Sequence, residues 1–209
     1  MSKNPDKYIP AFGVDRLAPL YDLIMPAVMR ESTIKPHLVE QMGIKKGHRV
    51  LDLGCGTATL TILIKKAQPE AEVTGLDIDP KILEIARSKV ARKGLSITLD
   101  QGLASELPYN DNSFDRVVSS LVFHHLTREN KVLAFKEIFR VIRPGGELHV
   151  ADFGKPHNTL MYLISLFVRH FEETSDNING LLPEMFRMAG FGDIEETARY
   201  MTINCTLSL

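Results

Sequence analysis

Short runs of apolar residues alternate along the chain with stretches in which apolar residues recur at helical spacing. Strand-length apolar runs separated by amphipathic helices are typical of α/β proteins with a parallel sheet. The predicted strands cover residues 49–53, 72–77, 96–100, 114–120 and 146–152, with two more near 194–199 and 202–207. The pattern therefore predicts an α/β fold with seven strands in a mostly parallel sheet and helices on both faces.

Local signals set the ends of the predicted helices. A helix over 57–67 ends before Pro69, and the next helix opens at Pro80 and closes at Gly94. The clearest helix, 128–141, has a broad apolar face and is stopped by the Arg-Pro-Gly-Gly sequence that follows it.

Two segments lie outside this alternation. Residues 1–42 are predicted to form an N-terminal helical cap, and residues 155–190 a helical insertion before the last two strands. Since no repeat, low-complexity tract or linker interrupts the chain, a single domain over 1–209 is expected.

The composition restricts the classes of protein to consider. A chain of 209 residues with a formal net charge of −1 lacks the basic surplus of nucleic-acid-binding proteins, so no nucleic acid is expected as a partner. Two cysteines, Cys55 and Cys205, cannot form a disulfide framework, which agrees with a cytoplasmic location. The N-terminus lacks the apolar core of a signal peptide, and the longest apolar run, 160–168, is too short to span a bilayer.

The most informative stretch is Val-Leu-Asp-Leu-Gly-Cys-Gly-Thr at residues 50–57, a predicted strand running into a glycine turn and a helix. Folds that bind NAD aim such a helix N-terminus at a pyrophosphate. Asp52, two positions before Gly54, would repel a pyrophosphate and attract a ligand with positive charge. S-adenosylmethionine has this character, because it carries a sulfonium and an ammonium and no phosphate.

The Asp-x-Gly-x-Gly motif after an apolar strand resembles the first motif of class I S-adenosylmethionine-dependent methyltransferases. The resemblance covers nearly the whole chain. The Ala-Pro-x-Tyr-Asp sequence at 18–22 and the segment 151–156 resemble those of ubiquinone and menaquinone biosynthesis C-methyltransferases. This family resemblance implies a Rossmann-like sheet with an antiparallel last strand, S-adenosylmethionine as cofactor, and Tyr21 closing over that cofactor.

The cofactor residues follow from this motif and its neighbours. Gly54 and Gly56, with Cys55 between them, permit close approach of the ligand, and Asp52 is placed to attract the methionine ammonium. Asp77 ends the second strand about twenty residues after the glycines, the spacing of a ribose-binding carboxylate.

Further cofactor contacts are expected at the next strand ends. Ile78 resembles the apolar residue that lies on the adenine. Leu103 stands where the family often has an aspartate for the adenine amino group, so only the backbone of Leu103 and Ala104 is expected to read the adenine edge. Ser120 and Leu121, beyond the fourth strand, are candidates for the cofactor pocket.

The tentative catalytic residues are His124 and His125, at the mouth of the predicted cleft. A general base is needed only if the acceptor is still protonated when it attacks, and an ordinary histidine titrates in the required range. The alternative is that one histidine caps a helix and the other packs in the core. The remaining histidines show no metal-ligand spacing, so no metal is predicted.

The expected reaction is C- or O-methylation of a small acceptor, with a quinol or a similar aromatic compound preferred. Apolar residues recur at helical spacing between 160 and 171, which indicates a buried helix face, a wall for a hydrophobic acceptor, or a contact with the membrane surface. Two other functions remain open at this point: a non-catalytic protein that binds S-adenosylmethionine for regulation, and an NAD-dependent oxidoreductase. The oligomeric state does not follow from the sequence.

Overall fold

A central sheet organises the molecule in the computed structural model, which describes residues 31–156, 159, 162, 173–200 and 203–208. The strands are β1 (Arg49–Leu53), β2 (Glu72–Asp77), β3 (Thr98–Gln101), β4 (Phe114–Ser120), β5 (Ile142–Phe153), β6 (Glu195–Tyr200) and β7 (Ile203–Ser208). Their order across the sheet is β3-β2-β1-β4-β5-β7-β6. Strands β1 to β5 pair in parallel, and β7 pairs antiparallel with both β5 and β6.

Helices cover the sheet on both sides. They are α1 (Glu31–Gln41), α2 (Thr59–Ala67), α3 (Pro80–Ala91), α4 (Arg128–Val141), α5 (Ser175–Ile178) and α6 (Leu182–Ala189), with a 3-10 helix at Phe123–His125. The predicted α/β, Rossmann-like class with a parallel sheet is confirmed.

Alternate residues of β1 enter two different parts of the core, as the pleat of a strand requires. Leu51 and Leu53 pack in the cluster that contains Phe135 of α4 and Phe186 of α6. Val50 packs in the other cluster, with residues of α1 and α2 such as Leu38. The centre of the sheet is therefore buried on both faces, and its strands β1 and β4 are buried along almost their whole length.

Strand β3 begins at Thr98 rather than residue 96. Two other predicted starts were wrong for local reasons. Helix α2 begins at Thr59 rather than residue 57, because Ala58 adopts a left-handed conformation (φ 59°) that cannot continue into the preceding residues as a helix. Strand β5 begins at Ile142 rather than residue 146. Its first residues pair with β4 across a register shift, and such an irregularity accommodates Pro144 in a strand.

The two predicted helical segments are described only in part. Helix α1 belongs to the N-terminal cap, and its Ile34 and Leu38 are buried in the core with α2. Residues 1–30, which include Tyr21, lie outside the described residues, as does most of 157–172. The cap over 1–42 and the insertion over 155–190 stay predictions. In the part of the chain that the structure describes, no helix is both long and apolar enough to cross a membrane.

Candidate active site

The glycine turn after β1 lies where the carboxyl ends of β1, β2 and β4 meet. The N–H groups of Gly54 and Cys55 donate to the carbonyl of Leu76 on β2, at 2.8 and 3.0 Å. Gly54 has φ 69°, and a Cβ there would lie 2.3 Å from Cγ2 of Val122, in the loop after β4. Gly54 is thus required both by its conformation and by the close approach of that loop.

Gly56 is favoured by its backbone conformation alone. Its φ is 53°, and an added Cβ would meet nothing within 4 Å, so open space borders the turn at this glycine. Ala58 is also left-handed and is fully buried. A small side chain is tolerated there at a backbone cost of about 1–2 kcal/mol.

Asp77 connects the glycine turn to the loop after β2. One carboxylate oxygen, Oδ2, accepts the N–H of Gly56 at 2.8 Å, and the other, Oδ1, accepts the N–H of Asp79 at 3.0 Å. An ionised carboxylate has about four acceptor sites, so about two remain for a ligand. The half-buried Ile78 follows it directly, and Asp79 caps α3.

Asp52 is buried on β1, next to the start of α2. Its Oδ2 accepts a hydrogen bond of 2.6 Å from the Thr61 hydroxyl. Burial raises the pKa of Asp52 to about 6, and the bond from Thr61 opposes that rise. Burial likewise raises the pKa of the Cys55 thiol, so this cysteine is a protonated, inert packing residue.

The loop after β3 approaches Asp77 from the other side. The N–H of Gly102 donates to the carbonyl of Asp77 at 3.1 Å, and the N–H of Glu106 closes the loop onto the carbonyl of Leu103 at 3.2 Å. The Leu103 side chain is 40% exposed, and Ala104 is half-buried.

The loop after β4 is held under backbone strain. Ser120 and Leu121 are half-buried, and Leu121 has φ 61° while its N–H donates to the carbonyl of Ala151 at 2.8 Å. A left-handed leucine costs about 1–3 kcal/mol and persists only where its surroundings hold it. The left-handed conformation of Leu121 redirects the chain from β4 into the 3-10 helix that carries His124 and His125.

The two histidines have different surroundings. His124 is 3% exposed, and its Nδ1 lies 2.8 Å from Oδ1 of the buried Asp152, at the end of β5. His125 is half-buried with its ring centroid 4.0 Å from that of His124. Burial, and then the neighbouring His124, lower the pKa of His125 to about 4.

Asp152 was missed as a functional residue by the sequence reasoning. Besides His124, it binds the N–H groups of Val122, Phe123 and Phe153 and the side-chain amide of Asn177 on α5. A signal for it was present in the sequence. Asp152 is an acidic residue at the end of a predicted buried strand, and two adjacent histidines, His124 and His125, follow the strand before it.

The sequence comparisons identify the family. The profile of a methyltransferase domain matches residues 50–146, from β1 into β5. The demethylmenaquinone methyltransferase of Listeria monocytogenes is 31% identical over 202 residues, an alignment that covers 85% of this chain and 84% of that protein. This chain belongs to the S-adenosylmethionine-dependent methyltransferases.

Solved structures of other methyltransferases share the fold. The S-adenosylmethionine-dependent methyltransferase SibL superposes with a TM-score of 0.72 at 21% identity, over 100% of this chain and 63% of that chain. Phosphoethanolamine N-methyltransferase 2 of Haemonchus contortus, solved with S-adenosylmethionine, gives a TM-score of 0.67 at 25% identity, over 78% of this chain and 37% of that one. The cofactor of the present methyltransferase is S-adenosylmethionine.

The residues of the methyltransferase fit this cofactor. The open space beside Gly56 lies next to the carboxylate of Asp77, which keeps acceptor sites for two hydroxyl groups. The helix N-terminus that follows offers N–H groups to a carboxylate.

The raised pKa of Asp52 predicts that its charge destabilises the folded methyltransferase at neutral pH. Because the pKa is about 6 in the folded protein and 3.8 ordinarily, the folded state binds the proton more tightly, and stability falls as pH rises from about 4 to 6. Above that range, the buried charge of Asp52 lowers the free energy of unfolding by about 3 kcal/mol. Asp52→Asn removes the charge and keeps an oxygen for Thr61.

We therefore expect Asp52→Asn to raise the free energy of unfolding by about 3 kcal/mol near pH 7.5 and to change it little near pH 4. Urea denaturation at both pH values measures the difference. Thr61→Val, which removes the hydrogen bond instead of the charge, is the control and should lower stability near pH 7.5. An equal effect of Asp52→Asn at both pH values would show that the burial of charge is not its cause.

Proposed function

We propose that this methyltransferase transfers the methyl group of S-adenosylmethionine to a ring carbon of a hydrophobic quinol, of the kind that demethylmenaquinone represents. The observation that carries the proposal is the 31% identity to a demethylmenaquinone methyltransferase over 85% of the chain. The buried carboxylate–histidine pair beside the cofactor turn supports it, because a quinol hydroxyl needs a base before its ring becomes a good nucleophile.

The cofactor contacts are assigned as follows. Asp77 binds the ribose hydroxyls and Ile78 lies on the adenine, while Gly54, Cys55 and Gly56 form the turn over which the methionine part lies. Asp52 acts on the ammonium through its charge. The backbone of Leu103 and Ala104 faces the adenine edge, Ser120 and Leu121 line the methionine side, and Tyr21 closes over the cofactor.

When bound, S-adenosylmethionine supplies a methyl group on a positively charged sulfur. His124 takes the proton of an acceptor hydroxyl, which raises the electron density on the neighbouring ring carbon. Asp77 and the turn at Gly54 and Gly56 would hold the cofactor so that its methyl group could pass to that carbon, with the electron pair of the sulfur–methyl bond remaining on sulfur. The ring carbon then releases its own proton to solvent as His124 returns a proton to the oxygen.

Of the two histidines, His124 is the one we assign as the base. A base works best when its pKa lies near the working pH, and the pKa of His125, about 4, makes that imidazole a weak one. His124 faces the buried carboxylate of Asp152, which stabilises the protonated form of its imidazole.

A series of reduced naphthoquinones with and without an isoprenoid tail tests the acceptor class. We expect kcat/KM to rise at least tenfold when a short tail is present, since each buried methylene contributes about 0.8 kcal/mol. Phosphoethanolamine serves as the polar comparison and should not be methylated. Equal rates for all acceptors, or a preference for the polar one, would contradict the proposal.

Leu103 gives a separate prediction about adenine recognition. Leu103→Asp places a carboxylate where a hydrogen bond to the adenine amino group is expected, and such a bond contributes about 1 kcal/mol. The Kd for S-adenosylmethionine, measured by calorimetry, should fall roughly fivefold. Leu103→Asn is the matched uncharged control, and an unchanged affinity in both variants would show that this loop does not meet the adenine.

We also propose that the reaction takes place in the cytoplasm, where the acceptor's tail is collected at the membrane surface. The free thiol of Cys55 and the apolar run at 160–168 support this location. Recovery of the protein outside the cytoplasm on cell fractionation would contradict it.

A further inference from the structure

We propose that Asp152 is a positioning residue: it holds the proton of His124 on Nδ1, so that Nε2 is left as the atom that accepts the acceptor's proton. The hydrogen-bond assignment stands on the geometry of Asp152 alone. Its catalytic consequence rests on the proposed function.

The geometry requires Asp152 to be an anion. Oδ2 accepts the N–H groups of Val122 and Phe123 at 3.2 and 2.8 Å, and Oδ1 accepts the N–H of Phe153 at 2.7 Å. Backbone N–H groups only donate, so each carboxylate oxygen already faces a donor. Oδ1 also accepts the side-chain amide of Asn177 at 3.1 Å, so a protonated carboxyl could not accept from all four of these donors, whereas the anion can.

The ionised carboxylate then decides the state of His124. Its Nδ1 lies 2.8 Å from Oδ1, and two acceptors cannot share that distance, so Nδ1 carries a hydrogen. In the neutral imidazole the other nitrogen, Nε2, is therefore the acceptor. Carboxylates that orient a catalytic imidazole in hydrolases act in the same manner.

The electrostatics agree with this geometry. Burial alone would raise the pKa of Asp152, but the neighbouring His124 and the hydrogen bonds outweigh it, and the pKa lies below its usual range. Other titratable groups near the pair are His125, Lys131 on α4 and Asp176 on α5. Lys131 is fully buried and donates to the carbonyl of Glu173 at 2.7 Å.

Asp152 also connects the base to α5. The amide of Asn177 donates to Oδ1 of Asp152 at 3.1 Å, and the preceding residue, Asp176, forms an ion pair with Arg128 at the start of α4. The same carboxylate therefore fixes the loop after β4, the ring of His124 and α5.

Asp152→Asn is the test, because it keeps the shape of the side chain and removes its charge. Nitrogen-15 NMR of histidine-labelled protein should show His124 protonated on Nδ1 in the wild type and on Nε2 in the variant. The His124 signal is identified as the one that is missing from the spectrum of His124→Gln. We expect kcat to fall about 50-fold. The Kd for S-adenosylmethionine should stay within about threefold, because an oxygen remains for Val122 and Phe123.

The pH profile separates positioning from a structural role. In the variant the imidazolium loses its carboxylate, so the acid limb of kcat should move to lower pH. The pH dependence of kcat is measured in proteins that also carry His125→Gln, so that the titration of His125 does not contribute to it. Asn177→Ala, which removes one bond to Asp152 and leaves His124 in contact with it, is the control and should leave the limb in place.

The outcomes distinguish the two proposals. A His124 protonated on Nε2 in the wild type overturns the role of Asp152, even if Asp152→Asn does not fold. An unchanged protonation state and acid limb in Asp152→Asn overturn it as well. Wild-type protein with Nδ1 protonated that methylates no quinol overturns the proposed function and leaves the positioning role of Asp152 supported by the spectrum.

Discussion

Replacing Asp77 by alanine is expected to raise the Kd for S-adenosylmethionine roughly 1000-fold. The carboxylate keeps about two acceptor sites for the ribose hydroxyls, and hydrogen bonds to a charged group contribute about 1.5–3 kcal/mol each. The variant also frees the N–H of Gly56, which the carboxylate now binds at 2.8 Å. Calorimetric titration with S-adenosylmethionine measures the loss directly.

Asp79→Ala is the matched control for this prediction. Asp79 lies two residues away and caps α3 by accepting the N–H of Lys81 at 2.8 Å, so its loss should cost about 1 kcal/mol of stability. The Kd for S-adenosylmethionine should stay within about threefold. If both aspartates reduced affinity equally, the effect of Asp77 would come from the structure of the loop rather than from contact with the ribose.

Replacing His124 by glutamine is expected to lower kcat about 1000-fold on a quinol acceptor, with the Kd for S-adenosylmethionine nearly unchanged. General base catalysis contributes about 100- to 10,000-fold, and glutamine cannot take a proton at neutral pH. Glutamine can still donate its amide to Asp152, so the hydrogen bond that holds this loop is retained. Single-turnover kinetics with saturating cofactor isolates the chemical step.

His125→Gln provides the comparison, because His125 is adjacent and its imidazole is a weak base with a pKa of about 4. Its kcat should fall less than about tenfold. A larger loss in His125→Gln than in His124→Gln would exchange the roles of the two histidines. Near wild-type rates in both variants would mean that methyl transfer proceeds by positioning alone.

The geometry of the glycine turn and its neighbouring strands was predictable from the sequence because the residues that form it follow local patterns. The strand, the two glycines and the acid at the end of β2 are local patterns, and β1 and β2 have the predicted bounds. The left-handed glycines and the bond from Gly56 to Asp77 agree with these patterns. The start of α2 was less accessible, because Ala58 adopts a conformation that its residue type does not favour.

The surroundings of His124 and His125 were not predictable in the same way. Asp152 lies 28 residues from His124 and 25 from Asn177, and only the pairing of β4 with β5 brings the first two together. The burial of His124 and the altered pKa of His125 also depend on packing, which a single sequence does not reveal. For this reason the two histidines looked equivalent in the sequence and differ in the structure.

The most direct test of the account is one reaction: methyl-labelled S-adenosylmethionine, the wild-type methyltransferase and a reduced demethylnaphthoquinone with an isoprenoid tail. Carbon-13 NMR of the product reports which acceptor atom carries the label. The account predicts a labelled methyl group on the ring carbon next to a hydroxyl. A label on oxygen would contradict the C-methylation, and no transfer, with cofactor binding intact, would contradict the quinol as acceptor.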